Sequence, residues 1–462
     1  MRTSYLAVVS LGLFLASTAQ AVPAFARQTG MSCSQCHTIF PELTPFGRQF
    51  KAGAYTLAMT KQISEGGTED KRQSLEFPSY VPLGVMATVG FTHTNVGPAS
   101  ADSPDAKNDT FSLPQEFSVF FAGKIAPKLG AFVQMTYEGA TDHFGFDNTD
   151  IRFAHQLPVG GKNLIIGATL NNSPTVSDLW NTTPVWGAPF NGSAVAPTPM
   201  ASTLIEGKLA HQVAGLGVYA FWDGLIYAEF DLYRSAPLGV SPPLSSGGGA
   251  TNVTDTVLPY WRLVGEKSFD SHTLSVGTFG LAGVLLPGGI STDHTTDPPT
   301  QITHPLTRPG DSYYDIGFDA QYQYIGPKHI FTAGLTYIYE NQNLVATHGF
   351  VDAEGNPLGS DNQFNELHSF KLTAAYTYDR LVGARATLST MRGSSDATLY
   401  GGAGPRATTL SGEMYVMPWQ NFRIGLQYTQ YFEFDGVTTS SDGQGRSASD
   451  NNTLYAYAWL VF

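Results

Sequence analysis

Cysteine is almost absent from this chain: its 462 residues include two, Cys33 and Cys36. Charge is also scarce, at 14% against about 25% in ordinary soluble domains. Positive charge is scarcer still, with 25 Lys and Arg against 38 Asp and Glu, so the net charge is −13. That balance disfavours nucleic acid and anionic headgroups as partners and is compatible with cationic ones. Beyond the N-terminus no stretch stays apolar for about 18 residues, which excludes a bundle of transmembrane helices. What is plentiful is glycine, at 49 residues, and aromatic side chains, at 12%. This mix suits many strands, tight turns and large faces that meet something other than water.

The first residues read as a secretory signal. Arg2 supplies the positive start, Leu6 to Leu15 the apolar core, and Ala19-Gln20-Ala21 the small-residue cleavage pattern. The expected signal is 1–21, with the mature chain beginning at Val22. A membrane anchor is the competing reading, but the apolar run is too short to span comfortably.

The two cysteines stand in Cys33-Ser34-Gln35-Cys36-His37, the spacing of c-type haem attachment. Two thiols add across the two vinyl groups of the porphyrin, and the adjacent histidine supplies the proximal iron ligand. A redox-active Cys-x-x-Cys would need a βαβ setting, and none is visible nearby. A zinc site would need a fourth ligand, and the next histidine is His93. The expected cytochrome segment is 22–59. It is too short for a core of its own, because units below about 40 residues need a staple or a partner. The haem is the staple and the following domain the partner. For the sixth ligand Met59 is the first choice; Met31 sits close to Cys33, and Met86 is a third option. Residues 60–79 are polar and charged and read as a linker.

From Tyr80 the texture changes, and 80–462 reads as an all-β transmembrane antiparallel barrel. Tyr314, Ile316, Phe318, Ala320, Tyr322 and Tyr324 fall on one face of a strand, with Asp315, Gly317, Asp319, Gln321 and Gln323 on the other. Phe331–Tyr339, Phe370–Tyr378 and Phe422–Tyr428 repeat this period of two. One such strand would suit a soluble sandwich. The connections argue otherwise, because short turns near 126–127, 158–161, 213–215, 268–271, 326–328, 379–381 and 418–421 alternate with long polar loops. Those loops lie at 96–114, 140–147, 172–200, 235–256, 285–311, 341–364, 393–407 and 434–450. Short periplasmic turns and long outer loops mark an outer-membrane barrel. The spacing predicts sixteen strands, near 80–95, 116–126, 129–139, 148–157, 162–171, 201–212, 216–234, 257–267, 272–284, 312–324, 328–340, 365–378, 382–392, 408–417, 421–433 and 452–462. Trp222-Asp223-Gly224 also reads as a turn, which would give seventeen. It is assigned to one long strand because an odd count would put the 235–256 loop in the periplasm. Tyr260, Trp261, Tyr313, Tyr314, Trp419, Tyr431 and Phe432 near strand ends fit an interfacial girdle, or equally a sandwich core.

Pro23-Ala24-Phe25-Ala26-Arg27-Gln28, Cys33-Ser34-Gln35-Cys36-His37, Pro41-Glu42-Leu43 and Gly47 resemble the N-terminal signature of the fused monohaem cytochrome–porins of iron-oxidising bacteria. The resemblance is specific over residues 22–55 and rests on architecture alone over the barrel. It implies one haem c held by Cys33 and Cys36, with His37 as proximal iron ligand. It further implies electron transfer at the outer membrane between extracellular Fe(II) and a periplasmic carrier such as a soluble cytochrome, with the haem under the barrel or in its lumen. Outer-membrane lipid is the expected surround and nucleic acid is not a partner. Carboxylates in the outer loops (Asp102, Asp105, Asp109; Asp142, Asp147; Asp293, Asp297 with His304; Asp352, Glu354, Asp361) could concentrate cations, but none has the spacing of a defined metal site. Two other readings stay open: a solute porin with a structural or sensory haem, and, ranked below it, a haem enzyme such as a peroxidase.

Overall fold

A computed structural model describes residues 23–57, 80–96, 109–237, 252–293, 300–304, 306–350, 359–401, 403–439 and 446–462. Sixteen long antiparallel strands close into a barrel. They are β1 (Leu83–Thr94), β2 (Thr110–Ala126), β3 (Leu129–Glu138), β4 (His143–Val159), β5 (Lys162–Asn171), β6 (Val213–Trp222), β7 (Ile226–Ser235), β8 (Leu258–Phe269), β9 (His272–Leu286), β10 (Asp311–Ile325), β11 (His329–Asn343), β12 (Phe364–Tyr378), β13 (Val382–Gly393), β14 (Ala407–Trp419), β15 (Phe422–Glu433) and β16 (Thr453–Val461). Closure falls to β1. It pairs with β2 on one side and with β16 on the other, from Met86 opposite Val461 to Thr94 opposite Thr453. A separate hairpin, Gly289–Asp293 with Thr300–His304, lies between β9 and β10.

The strands are apolar outside and polar inside. On β7, Tyr227, Glu229, Asp231 and Tyr233 are buried while Ile226, Ala228, Phe230 and Leu232 are exposed. Asp231 is 0% exposed and its neighbour Phe230 is 47% exposed. Val218, Leu263, Val276, Phe318, Leu372 and Met414 are likewise turned outward. In water this is upside down, because burying one such side chain is worth about 1.5–3 kcal/mol. Hydrocarbon is the surround that stabilises it, and a closed barrel leaves no unpaired strand edge in that hydrocarbon. The chain is a closed transmembrane β-barrel of sixteen antiparallel strands.

Three sequence expectations fail here, and the two strand errors cancel. Residues 201–212 do not form a strand. Leu204 and Ile205 are adjacent and both buried, and Leu204–Lys208 make a single helical turn, so the alternation of a strand is broken. The expected strand over 216–234 is two strands, β6 and β7, joined at Asp223-Gly224. Both residues have positive φ, 53° and 67°, as a tight hairpin turn demands. The expected turn at 213–215 is the start of β6 instead. One strand is lost and one gained, so the count stays sixteen. Of the girdle candidates, Tyr314, Trp419 and Phe432 point outward, whereas Tyr260 and Tyr431 are buried and Tyr313 packs against the core. Adjacent strand residues face opposite sides, so one of each aromatic pair must turn inward.

Two segments fill the lumen. The first is residues 23–57, a plug of three short helices: α1 (Pro23–Thr29), α2 (Cys33–Cys36) and α3 (Pro45–Ala52). Thr44 caps α3, its side-chain oxygen accepting from Gly47 N at 3.1 Å, with Pro45 in the first turn. The plug is fastened to inner faces around the ring. Arg48, 0% exposed, donates to Gln321 and Gln323 of β10 at 3.1 and 2.9 Å and lies 2.8 Å from the Glu266 carboxylate of β8. Glu42 pairs with Arg385 of β13 at 2.8 Å, and Tyr55 donates to Asp150 of β4 at 2.7 Å. The Phe40 carbonyl accepts from Arg423 of β15. The second filler is 172–212, the link from β5 to β6. Asp178 pairs with Arg262 at 3.0 Å, and Thr182 donates to Asp319 at 2.5 Å.

Candidate haem site

The pair Cys33 and Cys36 is presented by a single turn of helix, so the two residues share one face. His37 ends that turn in an extended conformation, φ −123° and ψ 136°, and its backbone N–H donates to the Cys33 carbonyl at 2.8 Å. Helix α3 crosses α2 at Gly47. A Cβ there would lie 2.2 Å from the Cys36 carbonyl oxygen, so glycine is required by the close approach. Thr44 locks the crossing, its N–H donating to the Cys36 carbonyl at 2.9 Å and its hydroxyl to the Gln35 carbonyl at 2.7 Å.

The His37 ring is oriented from two directions. Nδ1 lies 3.3 Å from the Pro41 carbonyl, and the ring packs against Phe40 at 5.7 Å between centroids. With Nδ1–H on that carbonyl, Nε2 keeps the lone pair a metal ligand needs. Burial pushes the imidazole down to about 4, so His37 is neutral through the physiological range. Burial, reinforced by neighbouring Cys33, pushes the Cys36 thiol up to about 11.

Both cysteines and His37 open on one cavity of about 300 Å³, the low end of the range for small-molecule sites. Three parts of the molecule wall it. The plug gives Phe25, Phe40 and Phe50; the strands give Met86, Phe120, Phe132 and Trp459; the inward link gives Trp186 and Phe190. Phe40 packs on Trp459 at 5.0 Å, joining the histidine to the barrel wall. Sulfurs for two thioether bonds, an oriented neutral imidazole and aromatic walls fit a haem c. Cys33 and Cys36 would hold it and His37 would ligate the iron.

The sequence candidates divide at the sixth ligand. Met31 and Met86 line the cavity, Met86 from the inner face of β1. Met59 lies outside the described residues. No second histidine lines the cavity among the described residues, so the acid–base partner of a peroxidase is not supplied by that side chain. The outer-loop carboxylates are committed elsewhere. Asp142 accepts from Tyr137 at 2.7 Å, Asp147 from Thr136 at 2.8 Å, and Asp361 from Ala397 N at 2.9 Å. His93 lies 2.8 Å from Asp109. Among the described residues no group of three or more His, Cys, Asp or Glu could hold a metal. Asp293 and His304 fall on the outer hairpin, and Asp102, Asp105, Asp297, Asp352 and Glu354 lie outside the described residues.

Sequence reasoning missed Lys51, Trp186, Phe190 and Trp459 as cavity residues. A signal existed: the supposed polar loop 172–200 carries Trp180, Trp186 and Phe190, a load that solvated loops do not need.

No family model and no curated protein matches the chain. Solved structures similar to it are outer-membrane proteins. One is OmpT of Vibrio cholerae in its trimer form, with 10% identity and a TM-score of 0.44, over 82% of this chain and 98% of that one. Another is the outer membrane channel DcaP of Acinetobacter baumannii, with 10% identity and a TM-score of 0.45, over 82% and 96%. A third is the anion-selective porin from Comamonas acidovorans, with 10% identity and a TM-score of 0.44, over 82% and 98%.

Proposed function

We propose that the chain is an outer-membrane electron-transfer protein carrying one covalently attached haem c inside its barrel. The observation that carries this reading is the convergence of Cys33, Cys36 and His37 on one aromatic cavity within the lumen. A haem there supplies a one-electron redox centre; the chain's own residues place it and exclude water from it. Cys33 and Cys36 fix its position, His37 holds its nitrogen toward the iron, and the wall of Phe120, Phe132, Trp186 and Trp459 lowers the dielectric around it. Position matters because electrons do not cross a bilayer core unaided. A centre in the lumen shortens the path from each side, and extracellular Fe(II) as donor with a periplasmic cytochrome as acceptor follows from the sequence resemblance. The test is a liposome holding an oxidised soluble cytochrome and carrying the protein in its bilayer. Ferrous iron added outside should reduce the enclosed cytochrome, and Cys36→Ala should abolish this. Reduction at equal rate in that variant would sink the reading.

A second reading, a solute channel, is favoured by the polar inner wall, where Arg262 faces Asp178 and Asp319 at 3.0 and 2.9 Å. It predicts steady single-channel conductance in planar bilayers. The plug and the inward link, both hydrogen-bonded to opposite walls, predict little.

A further inference from the structure

Among the described residues, the buried cations of the lumen follow a rule that Lys51 breaks. Arg48 pairs with Glu266 at 2.8 Å, Arg152 with Asp150 at 2.7 Å, Arg262 with Asp319 at 2.9 Å and Arg385 with Glu42 at 2.8 Å. Each buried guanidinium has a carboxylate, as desolvated charge requires. Lys51 is buried too, at 8% exposure, and among the described residues no carboxylate forms an ion pair with it. Its nearest candidates are taken: Asp150 by Arg152 and Asp178 by Arg262.

What Lys51 does contact defines a half-built site. Nζ donates to the backbone carbonyls of Val176 and Asp178, both at 2.8 Å, and sits 4.9 Å from the centroid of the Trp186 ring. An ammonium carries three donors, and two are used. Lys51 follows Gly47 by four residues, so it stands one turn further along the face of α3 that presses on Cys36. It therefore lines the same cavity as the cysteines. Burial, outweighing its charged neighbours, pushes the amine down to about 8. With no carboxylate in ion-pair contact among the described residues, the buried ammonium remains costly, and an arriving carboxylate offsets that cost.

We propose that Lys51 is the carboxylate-binding group of the cavity and takes a propionate of the covalently attached porphyrin. This rests on the haem reading above. The positive charge beside the propionate favours ferrous over ferric haem, so losing it lowers the reduction potential.

The test uses the exported holoprotein in detergent: wild type, Lys51→Gln and Lys51→Arg. Covalent haem content is read first. Redox titration then follows the haem absorbance, and resonance Raman follows the propionate bending mode. In Lys51→Gln the ferric-to-ferrous ratio at a fixed applied potential should rise about tenfold, roughly 59 mV for a one-electron couple. The propionate mode should shift, and Lys51→Arg should restore both. If Lys51→Gln does not assemble, the wild-type propionate mode decides. It should move as the amine loses its proton at alkaline pH, and a band indifferent to pH contradicts the assignment. Full haem content in Lys51→Gln with unchanged potential and unchanged mode overturns the proposal. So does a wild-type potential that varies with chloride or phosphate at constant ionic strength, since a free anion would then hold the seat. A wild type without covalent haem sinks the haem reading and this one together.

Discussion

The barrel wall and the plug inside it are stabilised by opposite means. The wall is regular: its strands form a closed hydrogen-bonded ring, and its outer face needs only to be apolar. The plug has three helices of 7, 4 and 8 residues and no sheet. It is held by individual contacts to the wall: polar ones such as Arg48 with Glu266, Glu42 with Arg385 and Tyr55 with Asp150, and small apolar ones such as Ile39 on Tyr415 and Met417 and Phe40 on Trp459. The wall is therefore tolerant and redundant, while the plug is brittle. Separating the two by mutation should show this.

The largest effect is expected at the attachment motif. Cys36→Ala should abolish stable covalent haem, read by haem staining after denaturing electrophoresis, while the heat-modifiable migration of a folded barrel persists. Loss of both signals together would mean that the wall needs the haem. Next in size is Arg48→Ala, which strips Glu266, Gln321 and Gln323 of their plug partner. Breaking a buried pair costs about 3–5 kcal/mol. The cost should appear as early protease cleavage within residues 23–57, with the barrel's own unfolding temperature unmoved. Gly47→Ala forces a Cβ toward the Cys36 carbonyl at 2.2 Å. Overpacking of this kind costs about 1–3 kcal/mol, and haem incorporation in the exported protein should fall. On the wall, Gly160→Ala meets a φ of +60° in an exposed turn, with no atom within 4 Å of the added Cβ. That should cost about 1 kcal/mol in barrel unfolding and leave haem content intact, since the plug does not depend on that turn.

The smallest expected effect is a pH dependence carried by His37 in a haem-free Cys33→Ser/Cys36→Ser chain. Burial lowers its folded value to about 4 from 6.5. The unfolded chain then binds more protons between these values, so plug stability rises with pH there. The contribution is complete above about 6.5 and is lost as pH falls through about 4. Protease resistance of the plug that stays flat across this window would show that His37 is not buried as described.

The wall was more legible in the sequence than the plug's setting. Strands such as Tyr314 to Tyr324 announce themselves because hydrocarbon outside and a polar lumen inside impose a period of two, which the order of residues displays directly. The proposed haem motif Cys33 to His37 was legible for a different reason, since c-type attachment would require that spacing. Legibility failed where residues serve neither rule. Leu204, Ile205 and Leu209 look strand-like but pack inward from the β5–β6 link against Tyr233 and Phe279. Asp223-Gly224 was legible as a turn and was overruled by an argument from strand parity. Lys51 gave no sequence signal at all. Its meaning comes from the Val176 and Asp178 carbonyls, which lie more than a hundred residues away.

The central claim is that this barrel carries a covalent haem on Cys33 and Cys36. Intact mass spectrometry of the exported protein, paired with a pyridine haemochrome spectrum after acid–acetone extraction, tests it most directly. The expected result is a chain heavier by one haem, with a c-type spectrum that survives extraction and disappears in Cys36→Ala. A mature chain at its bare polypeptide mass, from cells competent in cytochrome c maturation, would contradict it.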